Sequence, residues 1–160
     1  MTPDLLTFAK GIGNGFALAG VVGRAEVLEA VQGISFSTFG GNPIATAAGN
    51  AVVDYILSHD LQANAARTGA ILLEGLRAVD NPIVAEVRGK GLMIGIELTS
   101  AAATAAVFES CKRDGLLVGK GGLYGTVIRM GPPLNLSEAD AREGLEILTN
   151  VLREHGSASG

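Results

Sequence analysis

The chain has 160 residues, enough for one ordinary domain or for one domain and part of another. Apolar residues make up 48% and charged residues 18%, with 23 glycines, a composition that suits a piece of a larger buried assembly. A net charge of -4, 4% aromatics and no tryptophan exclude the basic, aromatic-studded face of a nucleic-acid binder.

In chain order, Leu5 to Ala9 reads as a short apolar strand, followed by the glycine repeat "KGIGNG" and a second strand, "FALAGVVG". "AEVLEAVQ" has helical spacing at Val27, Ala30 and Val31, whereas "GISFSTFGGNP" has no period and is expected to be a loop. Asn42 and Pro43 then open a helix through "IATAAGNAVVDYILS": Asn is a preferred N-cap, and proline at the first helical position lacks only an N–H that had no partner there. A second helix is expected from Asp60 to Val79, with Leu61, Ala65, Leu72, Leu73 and Leu76 on one face. Strands "IVAEVRG" and "GLMIGIELTS" follow around a glycine turn at Lys90, then a helix from Ala102 to Arg113 and short strands "LLVG" and "TVIRMGP". Ser137, with Asp140 completing a capping box, starts the last helix, which is expected to end near His155 and Gly156. The order is α/β followed by α+β, without an internal repeat.

Lys10 is the first candidate for chemistry. A lysine at a strand end is by default a solvated charge. The glycines after it fit no nucleotide site: Gly11, Gly13 and Gly15 alternate where a dinucleotide fingerprint needs G-x-G-x-x-G, and no Gly-Lys-Ser/Thr follows. What remains is an amine held by flexible backbone, which suits a covalent nucleophile whose pKa partial burial would lower. Arg129 is a cation inside an apolar strand before two prolines, and its burial would need an anion that its planar fork can grip, a bound carboxylate or an acid of this chain such as Glu97. Lys90, Lys120 and Arg88 read as turn or surface charges.

Other chemistry finds less support. Cys111 is the single cysteine, so no internal disulfide can form, and its place on a predicted helix suits a packed core thiol. His59 and His155 sit near predicted helix ends, and no metal site is expected. No apolar run approaches the roughly 18 residues that span a bilayer, and the N-terminus lacks a signal-peptide pattern. The expectation is a cytoplasmic protein without a membrane partner, any organellar targeting segment belonging to sequence upstream.

"PDLLTFAKGIGNGFALAGVVGR", "FSTFGGNPIATAAG", "VRGKGLMIGIEL" and "GLLVGKGGLYGTVIRMGPPLN" together resemble the C-terminal half of a class III, pyridoxal phosphate-dependent aminotransferase, in the alanine–glyoxylate group that also handles β-amino acids. The four motifs run in order from Pro3 to Leu136. The resemblance implies a fold type I transferase fragment. Residues 1–43 would be the tail of the cofactor-binding, parallel-sheet large domain, 44–58 a linking helix, 59–155 the small α+β domain, and 156–160 a disordered tail. It implies that Lys10 forms a Schiff base with pyridoxal 5'-phosphate and, once freed, moves a proton as general base. It implies that Thr38, Phe39 and Gly40 contact the cofactor, with Thr38 reaching the phosphate of a neighbouring subunit in a homodimer with shared active sites. Arg129 would hold the carboxylate of the amino acid or 2-oxo acid substrate.

The family's aspartate for the pyridine nitrogen, its ring-stacking aromatic and its first phosphate loop have no match in the 160 residues, so the chain alone is expected to be inactive. The function implied is transfer of an amino group from alanine or a β- or ω-amino acid to a 2-oxo acid such as glyoxylate or pyruvate. The alternative is a non-catalytic α/β remnant serving as a dimerisation or partner-binding module.

Overall fold

The computed structural model describes residues 2–33 and 36–157. The chain divides into two compact units, the first ending at Asp60 and the second beginning at Leu61.

The first unit is built on a two-stranded antiparallel sheet, β1 (Leu5–Phe8) against β2 (Gly20–Gly23). The second strand is shorter than the apolar run "FALAGVVG" suggests. Its partner offers only four residues to pair with, and Asn14 (φ 43°) and Gly15 (φ 109°) turn the chain through a loop before Gly20. The helix expected over "AEVLEAVQ" is also curtailed to α1 (Ala25–Leu28), with Ala30 and Val31 exposed beyond its end. By contrast α2 (Pro43–Ser58) starts where the cap requires, the Asn42 side chain accepting the Ala45 N–H at 3.0 Å. Gly49 lets α2 settle on Leu18, because a Cβ there would overlap Leu18 Cδ2.

The second unit has helices α3 (Leu61–Arg77), α4 (Ala101–Arg113) and α5 (Glu138–Ser157) and a four-stranded antiparallel sheet ordered β3 (Val84–Lys90), β4 (Met93–Leu98), β6 (Val127–Met130), β5 (Gly119–Gly121). On β4 the alternation buries Ile94, Ile96 and Leu98, which join Leu72, Leu76, Val107, Ile128, Leu148, Val151 and Leu152 in one core. Helix α3 backs directly onto the β3–β4 turn: a Cβ on Gly69 would overlap the Gly91 backbone, so only glycine permits that approach.

Three further expectations are corrected. The strand expected at "LLVG" begins three residues later, at Gly119–Gly121, because the turn with left-handed Gly122 and Gly125 sets Gly121 opposite Val127 and leaves Leu116 to pack on the core. Asp140 donates its N–H to Ser137 Oγ at 3.0 Å, but its short carboxylate accepts from that same hydroxyl at 2.7 Å instead of reaching back to the Ser137 backbone. Of the tail expected over 156–160, Gly156 and Ser157 are helical ends of α5, and residues 158–160 lie outside the described residues.

Candidate cofactor and substrate sites

Lys10 follows the end of β1, where Ala9 is extended and a 3-10 turn begins (Lys10–Gly13). Its φ of 58° lies in the left-handed region, which a lysine rarely occupies, and such local strain is concentrated at functional positions. Lys10 lines a hollow of about 550 Å³ with Phe16, Ser37, Phe39 and Gly40. A second hollow of about 690 Å³ opens on the Thr7, Phe8 and Gly20 side of the same residue. Lys10 is exposed, where the sequence reading expects partial burial: the glycines bring no side chains, and Phe16 and Phe39 are themselves exposed.

The loop leading to α2 is tight. Gly40 donates its N–H to the Ser37 carbonyl at 3.2 Å, and a Cβ on Gly40 would come within 2.9 Å of Ser37 Cβ, so a side chain does not fit there. Gly41 at φ 69° completes the turn into the Asn42 cap. Thr38 lies in this turn but off the wall of the Lys10 hollow. Among the described residues the Ser37 and Thr38 hydroxyls have no side-chain hydrogen bond, which leaves two donors beside the positive end of α2. A free primary amine, unpartnered hydroxyls, a glycine-lined approach and a helix N-terminus are a donor set that fits an aldehyde-bearing phosphate cofactor. Ser37 was not singled out by sequence reasoning, since nothing local distinguishes it from Ser35 next to the same aromatic.

Arg129 belongs to the second unit, on β6. Its neighbours Ile128 and Met130 point into the core, so alternation turns Arg129 out to solvent, and the burial expected from its apolar surroundings in sequence does not occur. It borders a hollow of about 320 Å³ with Leu116–Gly119 and Gly131–Pro132. Glu97 is not its partner. Glu97 accepts from Arg88 at 2.7 Å and from Thr126 at 2.5 Å, and Arg88 also reaches Glu86 at 2.6 Å. The Thr126 hydroxyl and then Arg88 hold the Glu97 carboxyl below its usual range, and Arg88 is raised by Glu97 and Glu86. Among the described residues Arg129 has no ion pair.

The remaining candidates are structural. Cys111 is fully buried on α4, and burial, helped by Asp114, pushes its thiol up to about 11. His59 stacks on Tyr55 at the end of α2, and Lys120 lies over the Phe108 ring at 4.8 Å.

The sequence profile of the family described as aminotransferase class-III matches residues 1–152. A mitochondrial alanine–glyoxylate aminotransferase 2 homolog of Arabidopsis thaliana is 43% identical over 152 residues, covering 88% of this chain and 32% of the relative. The mitochondrial alanine–glyoxylate aminotransferase 2 of Homo sapiens is 37% identical over 166 residues, covering 96% and 32%. The chain thus spans about a third of the length of these curated relatives. Among solved structures, an Arthrobacter phospholyase in complex with phosphoethanolamine superimposes with a TM-score of 0.90 at 33% identity, over 96% of this chain and 39% of that one. On the agreement of profile, relatives and fold, the chain belongs to the class-III aminotransferase family.

Proposed function

We propose that this chain carries the lysine and the carboxylate-binding arginine of a pyridoxal phosphate-dependent aminotransferase that moves an amino group from alanine, or a β- or ω-amino acid, to a 2-oxo acid such as glyoxylate or pyruvate. The observation that carries the reading is the strained, exposed Lys10 at the mouth of the hollow it shares with Phe39 and Gly40. When bound, the cofactor supplies the electron sink for carbanion chemistry.

The residues of the chain supply the rest. Lys10 Nζ is the covalent anchor and, once released, the base that carries a proton to and from the substrate carbon; a primary amine does both. Gly40 and Gly41 let the loop close around an anionic group, with Phe39 beside the cofactor and the Thr38 hydroxyl offered to the phosphate of a neighbouring subunit. That assignment makes the working form a homodimer, for which the exposed Phe36, Phe39 and Ile44 supply apolar contact area. Arg129, solvent-facing and without an acid of its own among the described residues, receives the substrate carboxylate bidentately. Within this reading residues 1–43 close the large domain, 44–58 link, and 59–155 form the small domain. A cytoplasmic location is part of the same proposal, checked by fractionation; the mitochondrial names of the two relatives belong to those proteins.

The comparisons favour this reading over a non-catalytic dimerisation module. The test is made on the complete enzyme. Borohydride reduction of the cofactor-loaded protein, followed by peptide mapping, is expected to find the label on Lys10, and Lys10→Ala to abolish both label and turnover. Retention of more than about a hundredth of the activity would sink the assignment, because no other group replaces a covalent amine.

A further inference from the structure

One row of paired residues crosses all four strands of the second unit: Arg88, Gly95, Arg129 and Gly119. Directly opposed residues of antiparallel strands share a face. The next row, Ile96 opposite Ile128, is fully buried in the core, so the arginine row looks out on the other side. Arg129 therefore stands between two positions that carry no side chain, while Arg88 beyond Gly95 is held by Glu86 and Glu97.

The two glycines differ in what they leave open. A Cβ on Gly95 would meet Val127 Cγ1 at 3.4 Å and Arg88 Cγ at 4.0 Å, and nothing of Arg129 within that range. A Cβ on Gly119 would lie 3.4 Å from Arg129 Nε and 3.6 Å from Nη2, with Cζ no closer than these. Both nitrogens are bonded to Cζ, so a point near both yet no nearer to Cζ lies on the outer side of their shared edge, away from Cζ. That edge presents two parallel N–H donors, the arrangement a carboxylate takes side-on.

The geometry points to Gly119 as the residue that sets access of the substrate carboxylate to Arg129. The inference rests on the reading of Arg129 as carboxylate anchor and adds the position that keeps its donor edge clear. Gly119 is not in the left-handed region, and every contact of the added Cβ is ordinary van der Waals distance, so alanine fits the fold while crowding the edge. On the same strand a Cβ on Gly121 would meet nothing within 4 Å, which makes Gly121→Ala a matched control.

The experiment compares alanine with isopropylamine, in which a methyl replaces the carboxylate, as amino donors for the complete enzyme. In Gly119→Ala the KM for alanine is expected to rise about tenfold, with that for isopropylamine within roughly twofold, as the loss of one charge-assisted hydrogen bond requires. Gly121→Ala should move neither, and Arg129→Ala should raise the alanine value further while sparing isopropylamine. If Arg129→Ala is selective but Gly119→Ala leaves the alanine KM unchanged, or raises both KM values alike, the role of Gly119 is overturned and the anchor reading stands. If Arg129→Ala affects both donors equally, the anchor reading falls and the inference with it.

Discussion

In the unit that ends at Asp60, the buried described residues are Gly13, Ala45 and Gly49, and Leu5, Leu6, Val21 and Val22 of its sheet lie about half exposed or more. In the unit from Leu61, ten or more large apolar side chains are sealed between one sheet face and three helices. Both units have regular strands and a properly capped helix, so local structure does not separate them. The difference is apolar area removed from water, the main favourable contribution to folding. It teaches that the second unit holds its shape from its own residues, whereas the first is positioned by local devices: the Asn42 cap, the left-handed residues and the four-residue hairpin. The lysine proposed to carry the chemistry lies in the less consolidated unit, and the proposed carboxylate anchor in the consolidated one.

The sharpest way to break this contrast is paired truncation. Leu148→Ala, at a fully buried position on α5, should destabilise the second unit by about 2–5 kcal/mol, whereas Leu6→Ala on β1 should cost within about 0.5 kcal/mol. Cys111 reports the outcome, since it is fully buried and its thiol is held protonated, so alkylation in urea follows opening of the second unit. An alkylation midpoint that Leu148→Ala does not lower would show that this core does not hold the second unit; Leu6→Ala is read from the rate of cleavage within the first unit, and a large acceleration there would show that the units do not differ in this way. Limited proteolysis is expected to cut before Asp60 while leaving the segment from Leu61 intact.

A smaller effect is expected at Asn81. Its amide donates to the Leu152 carbonyl at 2.7 Å and its oxygen accepts the Ile83 N–H at 3.0 Å, tying the end of α5 to the chain entering β3. Asn81→Ala leaves the Ile83 N–H without this partner in a buried place and removes the tie to α5, and should cost about 1–3 kcal/mol, read from the same Cys111 midpoint. No change would mean that water replaces the amide.

The smallest effect is pH-dependent. Glu97 is held below its ordinary value of 4.5 by the Thr126 hydroxyl and by Arg88, so its contribution is present above that pH and is lost as pH falls through the depressed folded-state value. Glu97→Gln should therefore flatten the acid limb of the second unit's stability curve, with little change in shape at neutral pH. Superimposable acid limbs would show that this exposed network adds nothing to the second unit's advantage.

How much of this was legible in the sequence depends on the range of the interaction involved. Asn42–Pro43, Ser137 and the strand end before Lys10 could be read directly, because a cap or a turn is decided by residues three or four apart. The motifs around Lys10, Thr38 and Arg129 likewise identified the family from the chain alone. The shift of β5 to Gly119–Gly121, the outward turn of Arg129, the capture of Glu97 by Arg88 and Thr126, and the cleared edge beside Gly119 could not be read this way. Each depends on which residue of one strand stands opposite which residue of another, and a slip of one position reverses every side chain between core and solvent. That register comes from tertiary packing, through the buried row of Ile96 and Ile128 and the glycine turn at 122–125, and no local pattern encodes it.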